Sequence, residues 1–228
     1  MSTTISKTVV LVLAGALLLP AAHAEARPTP RVAQRDLLDR AVAAWTKVRT
    51  ARATFRQTIV NPLTGRTLEA SGEYQQQRPG KLSVRFDEPE QDRIVADGKY
   101  VWLYLPSSAP GQVIRTPLGA NGTGTVDLSA QFLTAPRSRY TVTETRPDTV
   151  SGRPAHGYSL VPKSTEGSPF RKAVVYIDDA DATIRQFTVT EKSGTERTVR
   201  LTSFKTNVPV DASAFVFTVP EGTRVVAH

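Results

Sequence analysis

The side chains that could do acid–base or metal chemistry are few and scattered. His156 is the single histidine in the body of the chain, because His23 lies in the N-terminal apolar region and His228 at the C terminus. A lone histidine beside a glycine, here Gly157, is typical of polar surface rather than of a proton-transfer pair. The sequence has no G-x-S-x-G, H-E-x-x-H or Walker motif, so we expect no enzymatic activity.

Two clusters remain as candidate ligand sites. Asp178, Asp179 and Asp181 could surround a cation, but their segment lacks the glycine and distal glutamate of an EF-hand loop, and a hairpin turn explains it better. The glycine-rich stretch 119–124 is not followed by a lysine, which argues against a phosphate-binding loop. We therefore expect no metal and no cofactor.

Composition and cysteine content restrict the class of protein. The chain has 228 residues, with 29 Lys and Arg against 21 Asp and Glu, a formal net charge of +8, and no cysteine. These proportions are typical of a folded globular protein. The lack of cysteine excludes disulfides, thiolate metal sites, cysteine nucleophiles and lipid attachment through a cysteine.

The first 24 residues have the organisation of a secretory signal peptide. Lys7 precedes an apolar run from Val9 to Leu19, and an A-x-A cleavage site ends at Ala24. The apolar run would span only ~17 Å as a helix, which is too short to cross a bilayer. We therefore expect export from the cytoplasm and cleavage after Ala24.

Basic residues are dispersed along the chain rather than concentrated. There is no dense Lys/Arg run and no interleaving with aromatic pairs, so nucleic acid is not an expected partner. A solvated surface explains most of the positive charge. A positive rim that meets anionic membranes or acidic partner domains is the alternative.

One amphipathic helix is predicted from about Val32 to Val48. Its apolar residues recur at helical spacing on one face: Leu38, Ala41, Val42, Trp45 and Val48. The remaining residues of the segment are charged or small. A helix with one apolar stripe should lie on a sheet.

From about Ala53 onwards the apolar period changes to two, which indicates strands. Predicted strands cover residues 55–59, 67–76, 82–86, 92–96, 99–105, 112–116, 140–145, 157–161, 172–177, 183–191, 197–205 and 215–219. No helices alternate with them, so the sheet should be antiparallel. So many consecutive strands should curl into a barrel or half-barrel.

Residues 117–139 interrupt the strand series. A glycine-rich stretch is followed by a short helix candidate, Asp127 to Leu133, which carries Leu128, Phe132 and Leu133. A flexible loop with a small apolar helix resembles a lid. A surface connection whose apolar side chains simply pack down explains the pattern equally well.

Apolar side chains alternate along three predicted strands: Leu82, Val84 and Phe86; Phe187 and Val189; Trp102 and Tyr104. If helices close tightly over such faces, the side chains form a core. If the helices only cover them as a lid, a cavity remains. Composition favours the filled core, and periodicity does not decide between the two.

Five motifs follow one another between residues 78 and 222. They are R-P-G-K-L at 78–82, F-x-x-P at 86–89, I-V-A-D-G-K-x-V-W-x-Y-x-P at 94–106, A-T-I-R-Q-F at 182–187, and P-V-D-A-S-x-F-x-F-x-x-P-x-G at 209–222. In order and spacing they resemble the LolA family of periplasmic lipoprotein chaperones. The resemblance extends over about residues 35–226.

The resemblance implies a mainly β fold in a single domain over residues 25–228. This fold is an incomplete, half-open antiparallel barrel of about eleven strands, with an N-terminal helix and short lid helices over an apolar cavity. The implied function is a monomeric periplasmic carrier, without enzymatic activity, that binds the acyl chains of lipoproteins. The implied partners are acylated lipoproteins, an inner-membrane ABC-type releasing complex and an outer-membrane lipoprotein receptor.

The resemblance also implies roles for individual residues. Arg78 would hydrogen-bond lid backbone and hold the empty cavity closed, and Leu82 stands at a position that is often Phe in the family and lines the mouth. With their neighbours on the same faces and in the helix candidate, they form the expected acyl cavity and lid latch: Arg78, Leu82, Val84, Phe86, Ile94, Phe132, Leu133, Phe187 and Val189.

The main alternative is a regulatory binding module on the same fold that senses lipids or lipoproteins, as periplasmic sensors of envelope stress do. Such sensors usually carry a second C-terminal domain, whereas this chain ends soon after Phe217. That difference favours the carrier. A secreted hydrolase is not expected, because no nucleophile or acid–base set is present.

Overall fold

The computed structural model describes residues 36–119 and 127–227, apart from the side chain of Leu128. The expected signal peptide, its cleavage site after Ala24 and the predicted helix start at Val32 lie outside these residues. Among the helices in the described ranges, none is both long and apolar enough to span a membrane.

The N-terminal helix, α1, spans Leu37–Thr46 and begins at a carboxylate cap. The Asp36 side chain accepts a hydrogen bond from the backbone N–H of Leu38 at 3.0 Å, which satisfies a donor that has no partner within the helix. Leu38, Ala41 and Trp45 are buried on one face, as their spacing predicts. Two short-range hydrogen bonds close the helix just before its predicted end.

The described residues contain thirteen strands, all in one sheet. They are β1 Thr50–Val60, β2 Thr67–Gln77, β3 Lys81–Glu88, β4 Arg93–Asp97, β5 Tyr100–Tyr104, β6 Gln112–Pro117, β7 Tyr140–Glu144, β8 Asp148–Val150, β9 Arg153–Pro162, β10 Phe170–Asp178, β11 Ile184–Glu191, β12 Glu196–Thr206 and β13 Arg224–Ala227. Two short helices lie between β6 and β7: α2 (Leu128–Leu133) and α3 (Pro136–Arg139).

The strand order is β13-β6-β5-β4-β3-β2-β1-β12-β11-β10-β9-β7, with β8 paired to β9. Within the described residues the edge strands β13 and β7 do not pair with each other, so the sheet stays open. The mainly β, half-open fold expected from the sequence is confirmed.

Two details of the C-terminal region differ from the sequence prediction. The strand predicted at 215–219 does not form: residues 216–219 are in neither helix nor strand. A 3-10 helix, Ala212–Phe215, precedes them, and it starts where the Asp211 side chain accepts from the backbone N–H of Ser213. The last strand, β13, pairs parallel to β6. The segment between β12 and β13 returns to the far edge of the sheet, which the strand alternation did not reveal.

The sheet is strongly curved. Ile94 on β4 and Phe170 on β10 line the same cavity, although six strand spacings separate them, about 29 Å in a flat sheet. Part of the bend lies at a β-bulge between β2 and β3. There, a Cβ on Gly72 would lie 2.2 Å from the backbone oxygen of Arg85, so the close approach requires glycine.

The C-terminal segment covers the outer face of β3 and β4. Phe215 is buried, and the Phe217 ring stacks on Trp102 at 5.4 Å between centroids. Tyr104 lies 6.1 Å from the same ring. Trp102 and Tyr104 therefore belong to a packed outer layer and not to the concave face.

The acidic segment that begins at Asp178 forms the turn between β10 and β11. The Asp178 carboxylate is 2 % exposed and accepts hydrogen bonds from Arg153, from Arg185 Nε at 3.1 Å and from the backbone N–H of Ala180 at 2.9 Å. Burial raises the pKa of Asp178, but these hydrogen bonds, chiefly that from Arg153, outweigh it and hold the pKa well below its usual range. The predicted hairpin turn is thus tied together by arginines.

We expect Asp178→Asn to lower the free energy of unfolding by about 1.5–3 kcal/mol at pH 7, the usual worth of hydrogen bonds to a charged group. Because the folded-state pKa is depressed, the stabilisation is present above the unfolded pKa of about 3.9 and is lost as the pH falls through the folded value. Urea unfolding between neutral and acidic pH measures it. Asp87→Asn, which removes an exposed pair with Arg85, is the control, and a variant effect independent of pH would contradict the assignment.

Candidate functional site

An apolar cavity of about 310 Å³ opens on the concave face of the sheet. Its apolar walls come from β1–β4 on one side and from β10–β12 on the other: Phe55, Tyr74, Val84, Phe86 and Ile94; Phe170, Phe187, Val189, Val199, Leu201 and Phe204. This volume is at the lower end of the range for ligand pockets, about 300–1,000 Å³. The concave face is therefore partly filled and partly open.

Helix α2 packs an aromatic side chain behind the cavity wall. Phe132 is fully buried, and its ring lies 6.0 Å from the Phe170 ring and 5.4 Å from the Phe187 ring, between centroids. Both partner rings line the cavity, whereas Phe132 does not. Phe132 thus supports the wall from behind and fixes α2 against it.

A second cavity, of about 190 Å³, lies against α1. Trp45 and Val48 line it from α1 and the residues just after it, and Leu133 lines it from α2. Ser129 and Phe204 line both cavities, so they form the partition between the two.

Arg78, just after β2, contacts the C-terminal end of α1. Its Nη1 donates to the backbone oxygens of Trp45 at 3.0 Å and Val48 at 3.3 Å, and its guanidinium lies 4.7 Å from the centre of the Trp45 ring. The last carbonyls of a helix have no partner within the helix and carry partial negative charge, so a cation is favourable there. Arg78 ties α1 to the sheet.

A buried polar cluster lies under the start of α2. The Asp127 side chain accepts from the backbone N–H of Ala130 at 3.0 Å, which caps α2, and also from Gln76 Nε2 on β2. Burial raises the pKa of Asp127, although these hydrogen bonds and the nearby charge of Arg78 act in the opposite direction. Burial, with the charge of Asp127, also raises the pKa of the Tyr74 hydroxyl well above its usual value.

Two atoms of this cluster, the Tyr74 hydroxyl and Gln76 Oε1, are buried without a hydrogen-bond partner among the described residues. Such groups lose hydration without full compensation. The polar contacts under α2 are thus less favourable than the apolar ones made by Phe132. They would be rehydrated if the helix lifted.

The other end of the cavity has a polar border. Arg197 Nη1 donates to Gln57 Oε1 at 3.3 Å, and Arg197 Nη2 lies 3.5 Å from Glu191 Oε1. All three residues line the cavity. They mark the point where the apolar interior reaches the ends of β1, β11 and β12.

Comparison with known proteins gives this cavity a context. The family model described as "Outer membrane lipoprotein carrier protein LolA" matches residues 46–218. The chain belongs to the LolA family. The outer-membrane lipoprotein carrier protein of Pectobacterium atrosepticum is 30% identical over 180 residues, which cover 78% of this chain and 82% of that protein. The resemblance drawn from the motifs is confirmed.

A second relative agrees with the family assignment, and a solved structure agrees with the fold. The carrier protein of Methylobacillus flagellatus is 29% identical over 178 residues, with the same shares of both chains covered, 78% and 82%. The crystal structure of an uncharacterized conserved protein from Thermus thermophilus has a TM-score of 0.52 at 16% identity, over 84% of this chain and 97% of that one. The latter similarity concerns the fold alone.

The structure brings most of the predicted site residues of this LolA-family protein together. The following line the larger cavity: Val84, Phe86, Ile94, Phe187 and Val189. Leu133 lines the second cavity, Phe132 packs behind the wall, and Arg78 holds α1.

Leu82 is placed differently from the expected mouth position. It is fully buried in a separate small cluster with Ala96 and Val101, against which Leu118 packs. It does not line the cavity as the structure defines it. The segment after β6 covers this end of the strand, and the alternation of β3 could not reveal that cover.

Sequence reasoning missed the pairing of Gln76 with Asp127. Asp127 was recognised only as the start of a short helix, and its residue type suits an N-cap. Its partner lies 51 residues earlier in the chain, so no local pattern connects them. Gln76 itself reads as one of three consecutive glutamines in a strand.

We expect Asp127→Asn to raise the free energy of unfolding at pH 7. The Asn oxygen keeps the cap on the Ala130 N–H, and the Asn NH2 can donate to Gln76 Oε1, which has no partner at present, once the Gln76 amide is turned over. The substitution also removes a charge whose ionisation the folded state disfavours, as the raised pKa indicates. The gain should vanish below about pH 4, where the carboxyl is neutral in both states. Urea unfolding at several pH values measures it, and Asp127→Ala, which loses the cap, should instead destabilise by about 1 kcal/mol. A gain that persists at acidic pH would contradict this reading.

Proposed function

We propose that this LolA-family protein is a periplasmic lipoprotein carrier that holds acyl chains in the concave cavity. The observation that carries the proposal is the aromatic and aliphatic lining of an open cavity, built from strands on both sides of the curved sheet. The relatives' name, outer-membrane lipoprotein carrier protein, supports it. Exported residues 25–228 would form the carrier as one domain.

The physical need for such a carrier follows from the cost of exposing lipid. An acyl chain of ~15 methylenes costs ~0.8 kcal/mol for each methylene in contact with water. Several chains on one lipoprotein amount to tens of kcal/mol, so unassisted diffusion through an aqueous compartment is negligible. A carrier must cover this surface without holding it irreversibly.

The arrangement of α1 and α2 suits reversible binding. At about 310 Å³ the larger cavity is small for more than one chain, but the second cavity adds space once the partition at Ser129 and Phe204 opens. Opening requires the loss of the Arg78 contacts with α1 and of the Phe132 contacts with the cavity wall. This cost lowers the net affinity for acyl chains.

The transfer steps follow from the same balance. The carrier would receive acylated lipoproteins from an ABC-type releasing complex in the inner membrane, which supplies the free energy for release. It would pass them to a lipoprotein receptor at the outer membrane whose cavity costs less to open. The carrier itself needs no covalent chemistry and no nucleotide.

We expect Arg78→Leu to bind lipoprotein but to release it to the receptor roughly tenfold or more slowly. Loss of hydrogen bonds from a charged donor, about 1.5–3 kcal/mol, lowers the free energy needed to open the cavity. The cargo-bound state is then more stable, and the cargo dissociates more slowly. A transfer assay with labelled lipoprotein measures the rate. Arg115→Leu is the matched control, because Arg115 also stacks on rings, those of Tyr100 and Trp102. Release at the wild-type rate would contradict the latch role.

We expect Phe187→Glu to abolish acyl binding, because it places a charge in the apolar cavity wall. Pull-down of an acylated lipoprotein measures the loss. Thr188→Glu, one residue further on β11 and on its opposite face, should bind as wild type does. Ile94→Glu, at a less buried part of the wall, should also lose binding and tests the site if Phe187→Glu unfolds. Undiminished capture by both wall variants, with circular dichroism unchanged, would contradict the proposal.

A further inference from the structure

The hairpin between β1 and β2 carries apolar side chains where polar ones are usual. Leu63 is 85% exposed, Leu68 54% and Val60 38%, and together they are half of the large apolar side chains exposed in the described residues. Pro62 at the same tip is also exposed. Hairpin tips are normally polar, because their side chains project into water. This concentration of exposed apolar surface indicates contact with another apolar phase.

The tip continues the inner surface of the cavity. Phe55 and Gln57 line the cavity from β1, and Ile59 follows on the same face of that strand. Ile59 is paired with Leu68 on β2, so Leu68 also faces inwards. An apolar path therefore runs from the cavity wall through Ile59 and Leu68 to the tip at Leu63.

Cationic side chains surround the tip. Arg66, Arg171 and Lys192 are exposed and form no ion pair within the described residues. The turns are adjacent: a Cβ on Gly194 would lie 3.4 Å from Pro62 and 3.8 Å from the Arg171 guanidinium.

Carboxylates near this end of the sheet offset part of the positive charge. Glu191 is paired with Arg197 at the cavity border. Glu69 and Glu196 are exposed on β2 and β12 and make no ion pair in the described part of the chain, so their charges count against those of Arg66, Arg171 and Lys192. Of these five groups, the cations are in excess by one beside the exposed leucines.

We propose that this hairpin tip docks on the surface of an anionic phospholipid bilayer. Leu63 enters the boundary between headgroups and acyl chains, and Arg66, Arg171 and Lys192 bind lipid phosphates. An apolar protrusion with cations around it has the composition of an interfacial membrane anchor. Leu63 is 85% exposed, so its side chain is free to insert into an apolar phase, which favours a lipid surface over an acidic protein.

The docked orientation places the border of the cavity at the membrane. Acyl chains could then pass between the bilayer and the cavity along Leu68 and Ile59 with little exposure to water. This consequence rests on the proposed carrier function. The membrane contact itself does not, because it is a property of the protein without cargo.

Flotation with vesicles tests the contact. Cargo-free protein is mixed with vesicles of phosphatidylglycerol and phosphatidylethanolamine, or of phosphatidylcholine alone, at low salt. We expect the protein to float with the anionic vesicles, and Leu63→Asp to weaken binding about tenfold, as expected for one leucine side chain. Val216→Asp is the matched control, because Val216 is 69% exposed elsewhere on the molecule, and it should leave binding unchanged.

Charge reversal tests the cations separately. Arg66→Glu should reduce binding to anionic vesicles and leave any binding to phosphatidylcholine unchanged. Equal binding of the wild type to both vesicle types would overturn the assigned role of the cations.

A fluorescent label locates the contact directly. The sequence has no cysteine, so Leu63→Cys and Val216→Cys each provide one site for an environment-sensitive dye. Emission from residue 63 should shift to the blue with anionic vesicles, and emission from residue 216 should not. No flotation of the wild type, or flotation without a shift at residue 63, would overturn the proposal and leave the tip to a protein partner.

The carrier function is tested apart from the membrane contact. Leu63→Asp protein should still capture detergent-solubilised acylated lipoprotein as wild type does. Loss of capture by Leu63→Asp would show that the tip belongs to the acyl-binding site and would overturn its separate role as a membrane contact. Failure of wild-type capture, with flotation intact, would contradict the carrier function alone.

Discussion

The apolar concave face needs a cover, and within residues 36–119 and 127–227 the helices that cover it are short. The ten residues of α1 and the six of α2 would not be stable helices on their own in water. Their order depends on contacts with the rest of the fold. The contacts of α1 are its buried face, with Leu38, Ala41 and Trp45, and the hydrogen bonds from Arg78 at its end. The contacts of α2 are the cap at Asp127 and the ring of Phe132. Elements held by few contacts open more easily than the strands around them. The rest of the site follows from this constraint.

The contacts under α2 are unequal in kind. Phe132 gains by leaving water, whereas Asp127, Tyr74 and Gln76 are buried at some cost, since two of their polar atoms lack partners in the described residues. Lifting the helix exposes the ring but rehydrates the polar groups, so the two effects partly cancel. An apolar ligand against Phe170 and Phe187 would replace the ring contacts that Phe132 makes with them in the closed state. A cover balanced in this way can be displaced by an apolar ligand without a large change in free energy.

Local patterns in the sequence predicted the strands and the face of the first helix, because both depend on periodicity. They placed Val84 with Phe86 on one face of β3, and Phe187 with Val189 on one face of β11, but only the family resemblance assigned both faces to one cavity. They did not indicate β8 or β13, which have three and four residues. They could not place Leu82, whose burial depends on a distant segment that folds over it, nor connect Gln76 with Asp127. Composition could not decide between a filled core and a cavity, because the outcome depends on the curvature of the sheet and on the distance between α2 and the sheet.

The alternation of inward and outward side chains along β1 determines which residues face both ends of the site. Its inward residues are Ala51, fully buried in the cluster with Trp45, then Phe55 in the cavity wall, and Ile59 towards the exposed tip. The small side chain of Ala51 leaves room for α1, and the ring of Phe55 lines the cavity. Ile59 continues the apolar face towards the hairpin. Because the side-chain period of a strand is two, a shift of one residue would turn all of these outwards at once. The contact with α1, the cavity wall and the apolar path to the hairpin tip are therefore fixed by one register, and a change in that register cannot affect one of them alone.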